Sequence, residues 1–242
     1  MKSFEAAPVL FGRLFMQPAL LAAAALLPSI AIPQSYNIDL DSGVGSAESG
    51  NGAPSILFGA AADQPGFWNR VNCVSDGPTN LFDLSGSYRG VFMTVEDAGS
   101  GGGSGWDSNT GDYALLLNDY ATIRSPMTYR VSGLVNGAYK ILTYAVNASG
   151  HTVGVNVAVD GSDDPLQVVT GPMPGNRFEH LVTHAIHYVP DLRGDLIIRL
   201  SGPWPRSQVN GFQIVAVPEP ATMSIVFAGT MWLACRRRTP RF

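Results

Sequence analysis

The chain has 242 residues, 45% of them hydrophobic and only 14% charged, with 27 glycines, 17 prolines, two cysteines and a formal net charge of −4. With the two ends set apart, residues 36–216 hold nine Arg or Lys against 17 Asp or Glu, a net of −8. That balance argues against nucleic acid as a partner, since Lys and Arg supply most of the affinity for a phosphate backbone. About 180 residues are enough for one single-core domain and do not require two.

The N-terminus carries Lys2 and Arg13 ahead of Leu14-Phe15-Met16 and an apolar stretch from Pro18 to Ile32, with four alanines at positions 22–25. A cationic start, an apolar centre and small residues at Ser29-Ile30-Ala31 are the three parts of a secretory signal peptide. Residues 1–35 are therefore assigned to export as a signal peptide with a helical apolar centre, with cleavage expected after Ala31. Pro28 and Pro33 would interrupt a buried helix here.

Residues 36–216 follow as a domain punctuated by Gly and Pro, with no sustained period of 3.6 residues. Short β-type runs recur at Tyr36–Leu40, Gly90–Val95, Tyr113–Leu117, Met127–Val131, Tyr139–Val146, Val153–Val159, His184–Val189, Leu196–Leu200 and Gln208–Val215. Val153, Val155, Val157 and Val159 share one face at period two, and Asp160-Gly161 closes that strand with a hairpin-type turn. Gly99–Gly105 reads as a flexible loop. Helical crossovers are missing, so the expected fold is all-β, an antiparallel sandwich.

Two phrases refine this. Val131-Ser132-Gly133-Leu134-Val135-Asn136-Gly137-Ala138-Tyr139-Lys140-Ile141 and Val209-Asn210-Gly211-Phe212-Gln213-Ile214 resemble the strand–turn–strand phrase and closing strand of galactose-binding-like jelly rolls. Asn136-Gly137 supplies residues for a tight hairpin, and Tyr139 and Ile141 share one face of the next strand. The resemblance implies a fold that hosts lectins, enzyme accessory modules and structural domains alike.

Candidate chemistry is sparse. His180, His184 and His187 cluster, but their apolar neighbours suit a strand, where His180 and His184 share a face and His187 points away; the reading is exposed or rim histidines rather than a metal site. His151 follows Ser149-Gly150 and is read as exposed. Asp160, Asp163 and Asp164 form an acidic turn, and Asp39 and Asp41 share a strand face. A solvated turn is the plain reading, with a structural calcium as the alternative. Flat rings stack on sugars, which singles out Phe67-Trp68-Asn69, Trp106-Asp107 and Trp204. Trp106, after the Gly-rich loop, is the favoured glycan contact, with Asp107 accepting a hydroxyl; Trp68 is either a glycan contact or a core anchor. No Gly-x-Ser-x-Gly, His-Glu-x-x-His or phosphate loop is present, and no carboxylate pair stands out for glycoside hydrolysis.

The tail, residues 217–242, reads Val217-Pro218-Glu219-Pro220, then 14 uncharged residues from Ala221 to Ala234, Cys235 and Arg236-Arg237-Arg238. The prolines end the preceding strand. The apolar run, about 22 Å as a helix, is short for a bilayer core of about 30 Å, yet can insert transiently with its arginines retained on the cytoplasmic side. These three parts in this order resemble the PEP-CTERM sorting signal of exported Gram-negative proteins, which implies processing by the membrane enzyme exosortase. Cys235 would leave with the tail, so Cys73 is read as a single buried thiol. The functional expectation is an exported surface or matrix protein that associates with extracellular polysaccharide without catalysis; the alternatives are a secreted carbohydrate-active enzyme and a purely structural surface protein.

Overall fold

In the computed structural model, which describes residues 34–41, 52–72, 77–96, 101–103, 109–123, 126–147, 151–152, 154–164, 166–171, 175–203 and 206–218, alternating residues of most strands turn to one interior. The strands are β1 (Tyr36–Asp41), β2 (Trp68–Asn72), β3 (Thr79–Phe82), β4 (Tyr88–Glu96), β5 (Gly101–Gly103), β6 (Asp119–Thr122), β7 (Met127–Ser132), β8 (Gly137–Tyr144), β9 (Val155–Val159), β10 (Leu166–Val169), β11 (His184–Leu192), β12 (Leu196–Ser201), β13 (Gln208–Val209) and β14 (Gly211–Val217). A helix, α1 (Asp112–Leu117), precedes β6, and a 3-10 turn spans Ala60–Ala62.

The strands form a five-stranded sheet, β11-β8-β14-β1-β2, a six-stranded sheet, β10-β9-β12-β7-β4-β3, and a small third sheet, β13-β6-β5. Neighbours are antiparallel except for β1 and β2, which run parallel. The fold is thus an antiparallel β-sandwich of jelly-roll type. Tyr36, Ile38, Leu40, Tyr139, Ile141, Phe212 and Ile214 from the first sheet meet Met93, Val95, Tyr129, Val131, Val157, Val159, Ile198 and Leu200 from the second. Each such side chain contributes about 1.5–3 kcal/mol on burial. Tyr129 and Phe212 lock the sheets edge-to-face, with ring centroids 4.8 Å apart.

Three local expectations are corrected. Tyr113–Leu117 lies within α1: a five-residue apolar run cannot be assigned by periodicity alone, and Ala and Leu favour the helix. Within the Gly99–Gly105 stretch, Gly101–Gly103 is β5, paired to Asp119–Ala121; backbone groups alone suffice for that pairing. Asn136-Gly137 does not close a hairpin, because β7 and β8 belong to different sheets. The segment between them crosses the sandwich, and its Gly133 (φ 86°) packs so tightly that a Cβ would stand 2.4 Å from the Gly90 carbonyl oxygen. The terminal helices expected at either end, together with Cys73, Trp204 and Cys235, lie outside the described residues.

The outer face of the five-stranded sheet is covered by residues 52–67 and α1. Trp68, Leu116, Leu117, Tyr144 and Val146 form a second buried cluster there, flanked by Phe58, Tyr113 and Phe178. An amide network beneath this strap ties it down. Gln213 donates to Asn37 Oδ1 (2.9 Å) and to the Gly59 carbonyl (2.9 Å). Its Oε1 accepts from Ala62 N–H (3.0 Å) and from the Tyr144 hydroxyl. Asn210 interrupts the run that continues into β14 and anchors α1, donating to the Leu117 and Asp119 carbonyls at 3.0 and 2.9 Å.

The open edges of the two sheets meet at Gln167 of β10. Its side-chain amide behaves like a neighbouring strand: Oε1 accepts the Ile186 N–H at 2.9 Å, and Nε2 donates to the Ile186 carbonyl. An unpaired strand edge invites pairing with other chains, and this contact occupies that part of β11. Gln167→Ala is expected to cost about 1–2 kcal/mol. The same change should accelerate hydrogen exchange at the Ile186 amide roughly tenfold; unchanged protection there would refute the assignment.

The open face of the six-stranded sheet

Whereas the five-stranded sheet is covered, the outer face of the six-stranded sheet presents side chains to solvent. The cause is legible locally. In β7, Met127, Tyr129 and Val131 are buried while Thr128, Arg130 and Ser132 alternate with them. In β4, Phe92, Thr94 and Glu96 likewise alternate with Val91, Met93 and Val95. The register aligns these positions in rows. Asn80, Phe92 and Ser132 form one row; Thr94, Arg130 and Ile197 a second. Glu96, Thr128, Arg199, Ala158 and Leu166 form a third, and Ser201, Asn156 and Val168 a fourth.

Two guanidinium groups dominate this face. Arg130 forks between Asp195 (Nη1 to Oδ2, 3.1 Å) and Glu96 (Nη2 to Oε1, 3.2 Å). These hydrogen bonds, Asp195 first, push its pKa up. Arg199 binds Asp160 in bidentate fashion, at 3.1 and 2.7 Å, with the same upward effect. Asn156 donates to the Ser201 hydroxyl at 3.3 Å. The half-buried Phe92 lies among these polar groups, so the face combines an aromatic surface with fixed donors and acceptors. Planar guanidinium–carboxylate pairs are preorganised and lose little entropy on meeting a further hydroxyl.

The residues singled out from the sequence fall in several places. Trp68 is buried, 3% exposed, and its indole N–H donates to the Phe58 carbonyl at 3.1 Å. It is therefore a core anchor, and its ring offers no stacking surface. Trp106 and Asp107 lie outside the described residues. Asp160 belongs to the open face through Arg199, while Asp163 and Asp164 are exposed in the turn that follows. Among the described residues no group of three or more His, Cys, Asp or Glu is placed to hold a metal ion.

The expected exposed or rim histidines are corrected in part. His151 and His180 are exposed, but His184 is buried, packed against Tyr144 and Phe178. Burial above all, then His180 and Lys140, lowers its pKa to about 4. His187 is fully buried, and burial again lowers its pKa. The two point to opposite faces of β11, as strand alternation requires; what period two could not show is that both faces are covered.

Asp41 pairs with Arg70. Asp39, two residues before it, is fully buried with neither carboxylate oxygen hydrogen-bonded. Arg130, Arg199 and Phe92 were not singled out from the sequence. The signal for them was present in Thr128-Tyr129-Arg130-Val131-Ser132, whose polar members occupy one face of a strand.

No protein-family model matches the chain, and no curated protein matches it by sequence. Among solved structures it is similar to CBM35 from Cellvibrio japonicus Abf62, with 14% identity over 42% of this chain and 75% of that one and a TM-score of 0.28. It is also similar to a family 35 carbohydrate-binding module from Clostridium thermocellum, with 12% identity over 52% of this chain and 91% of that one and a TM-score of 0.27. A third is the Podospora anserina GH26-CBM35 beta-(1,4)-mannanase, at 13% identity over 61% and 27% of the two chains with a TM-score of 0.30.

Proposed function

We propose that this protein is an exported cell-surface or extracellular-matrix β-domain that associates with polysaccharide through non-catalytic contacts. The observation that carries this reading is the open sheet face. Phe92 supplies an apolar patch for a sugar ring, while Thr94, Thr128, Ser132, Asn156 and the two carboxylate-held guanidiniums supply donors and acceptors for hydroxyls. Such a surface suits a polyhydroxylated chain lying across strands, because hydrogen bonding and aromatic contact alternate along it. Trp106 and Asp107, just beyond β5, are proposed as a second contact of the same kind.

Delivery completes the proposal. Residues 1–35 direct export, and Val217-Pro218-Glu219-Pro220 with Arg236, Arg237 and Arg238 frames a tail that is held in the membrane and removed by an exosortase-type enzyme. β14 ends at Val217, so the joint begins where strand pairing stops.

Affinity electrophoresis through gels containing the producing organism's own polysaccharide tests the binding. The wild type is expected to be retarded. The double variant Phe92→Ala/Arg130→Ala is expected to bind roughly tenfold more weakly, since an aromatic contact contributes about 0.5–1.5 kcal/mol and a charge-assisted hydrogen bond a similar amount. Equal retardation of both, with matching thermal melts, would sink the assignment of this face.

A further inference from the structure

Ile56 and Leu57 occupy the tip of a turn with 66% and 84% of their surfaces exposed, where turn chemistry ordinarily places small polar residues. The tip is held firmly. Asp112 of α1 accepts from the Ser55 N–H (2.7 Å) and hydroxyl (2.8 Å). Phe58 N–H closes the turn on the Ser55 carbonyl, and Gly66 N–H donates to the Ile56 carbonyl at 2.9 Å. The next residue, Phe67, is exposed and begins an aromatic strip: Phe67 to Phe82 at 5.7 Å, then Phe82 to Tyr88 at 5.9 Å. Tyr88 is 48% exposed. The neighbouring Arg89 is paired with Asp83, so the strip carries little net charge of its own.

The register locates this apolar patch. Trp68 lies opposite Asn37, and Gln213 lies opposite Asn37 on the other side of β1. Phe67 and Gly66 therefore sit at the end of the sheet toward which β14 runs, two strands and about 10 Å from it. At that end Ala216 N–H donates to the Ser35 hydroxyl at 2.9 Å, and the chain passes Val217 into the tail. Only Pro218, Glu219 and Pro220 separate β14 from the apolar run that starts at Ala221. Three residues reach about 11 Å at most. When the run enters a membrane, this end of the sandwich is held against the lipid surface.

We propose that the Ile56–Leu57–Phe67–Tyr88 end of the sandwich is a lipid-docking face, which seats the domain on the membrane entered by its own tail. The proposal rests on the reading of the tail as membrane-inserted. The short link brings the face to the interface, and aliphatic and aromatic groups are those that partition into it. Docking would hold Pro218-Glu219-Pro220 at a constant height at the membrane surface. Because apolar burial dominates, binding should change little with salt.

The test uses the full chain with single thiols carrying an environment-sensitive fluorophore, mixed with phosphatidylcholine vesicles that contain a spin-labelled quencher lipid. One label sits at Leu57→Cys, one at the native Cys235 to report tail insertion, and one at His151→Cys. The last position follows β8 at its Tyr144 end, the end opposite the exit of the tail. The remaining thiols are changed to Ser. Quenching is expected at 235 and at 57, several-fold stronger than at 151. Quenching at 235 with position 57 as bright as 151 overturns the docking face and leaves the tail reading intact. No quenching at 235 removes the tail reading and the docking face with it. Leu57→Asp, at a position too exposed to disturb the fold, should abolish quenching of a label at Tyr88→Cys; if it instead weakens retention by polysaccharide and leaves vesicle quenching unchanged, the face belongs to glycan and the proposal fails.

Discussion

Gln213→Leu is expected to lower the melting temperature of the protein by roughly 10 °C and to release residues 52–67 from the sheet. The wild-type amide uses both ends: it donates to Asn37 and the Gly59 carbonyl and accepts from Ala62 and Tyr144. Leucine fills the volume but leaves the Ala62 N–H, the Gly59 carbonyl and the Tyr144 hydroxyl without those partners. A buried polar group stripped of its partner costs about 1–3 kcal/mol, and water can reach part of this site, so a total near 3–5 kcal/mol follows. For a domain of this size each kcal/mol moves the midpoint by about 2–4 °C. The Tyr144 phenol, whose pKa burial pushes far up, cannot escape the loss by ionising. Thermal melts read the total, and limited proteolysis reads its location: new cleavage should fall between residues 52 and 67. A variant that melts like the wild type would show that the strap is held by the Trp68 cluster alone.

Asp39→Leu is expected to stabilise the protein, by roughly 1–3 kcal/mol at neutral pH. Asp39 lies between Gly211 and Arg70 on the neighbouring strands. Gly211 has no side chain to reach it, and Arg70 is engaged by Asp41. Burial chiefly, then the nearby Asp119 and Asp41, raises its pKa well above the ordinary value, and Arg70 only partly opposes this. The sign follows from linkage. A folded-state pKa above the unfolded one means that the folded protein holds the proton more tightly. Stability from this group is therefore complete below the unfolded pKa, about 3.9, and is lost as pH rises from there toward the folded pKa. Urea unfolding between pH 4 and pH 8 should show the wild type losing stability relative to Asp39→Leu as pH increases. Parallel profiles for the two proteins would mean that Asp39 is satisfied in solution by a group other than its neighbours in the fold.

Much of the sandwich is legible because strand alternation is a local property. Val155, Val157 and Val159 declare their buried face without any other part of the chain, and Met127, Tyr129 and Val131 do the same. Conversely, α1 is too short for its period to emerge, and β5 contains only glycine, so both depended on partners elsewhere in the chain. The candidate face was half legible: the polar side of β7 stands in the sequence, but its alignment with Phe92 and Arg199 required the register of β4 and β12.

By itself the sequence determined the all-β class, the inward side of most strands and the unlike character of its two ends, since each depends on composition or on residues two positions apart. Tertiary structure alone decided which polar residues are buried. Nothing adjacent to Asp39, His187 or Gln213 marks them as interior. Asp39 and Gln213 are covered because residues 52–67 and α1 fold over one sheet while the other stays open, and Gln213 meets Gly59 across a separation of 154 residues. His187, beside Ala185 and Val189 on its strand, turns instead to the interior between the two sheets. A polar side chain on a strand faces either water or a partner, and only the packing of distant segments settles which.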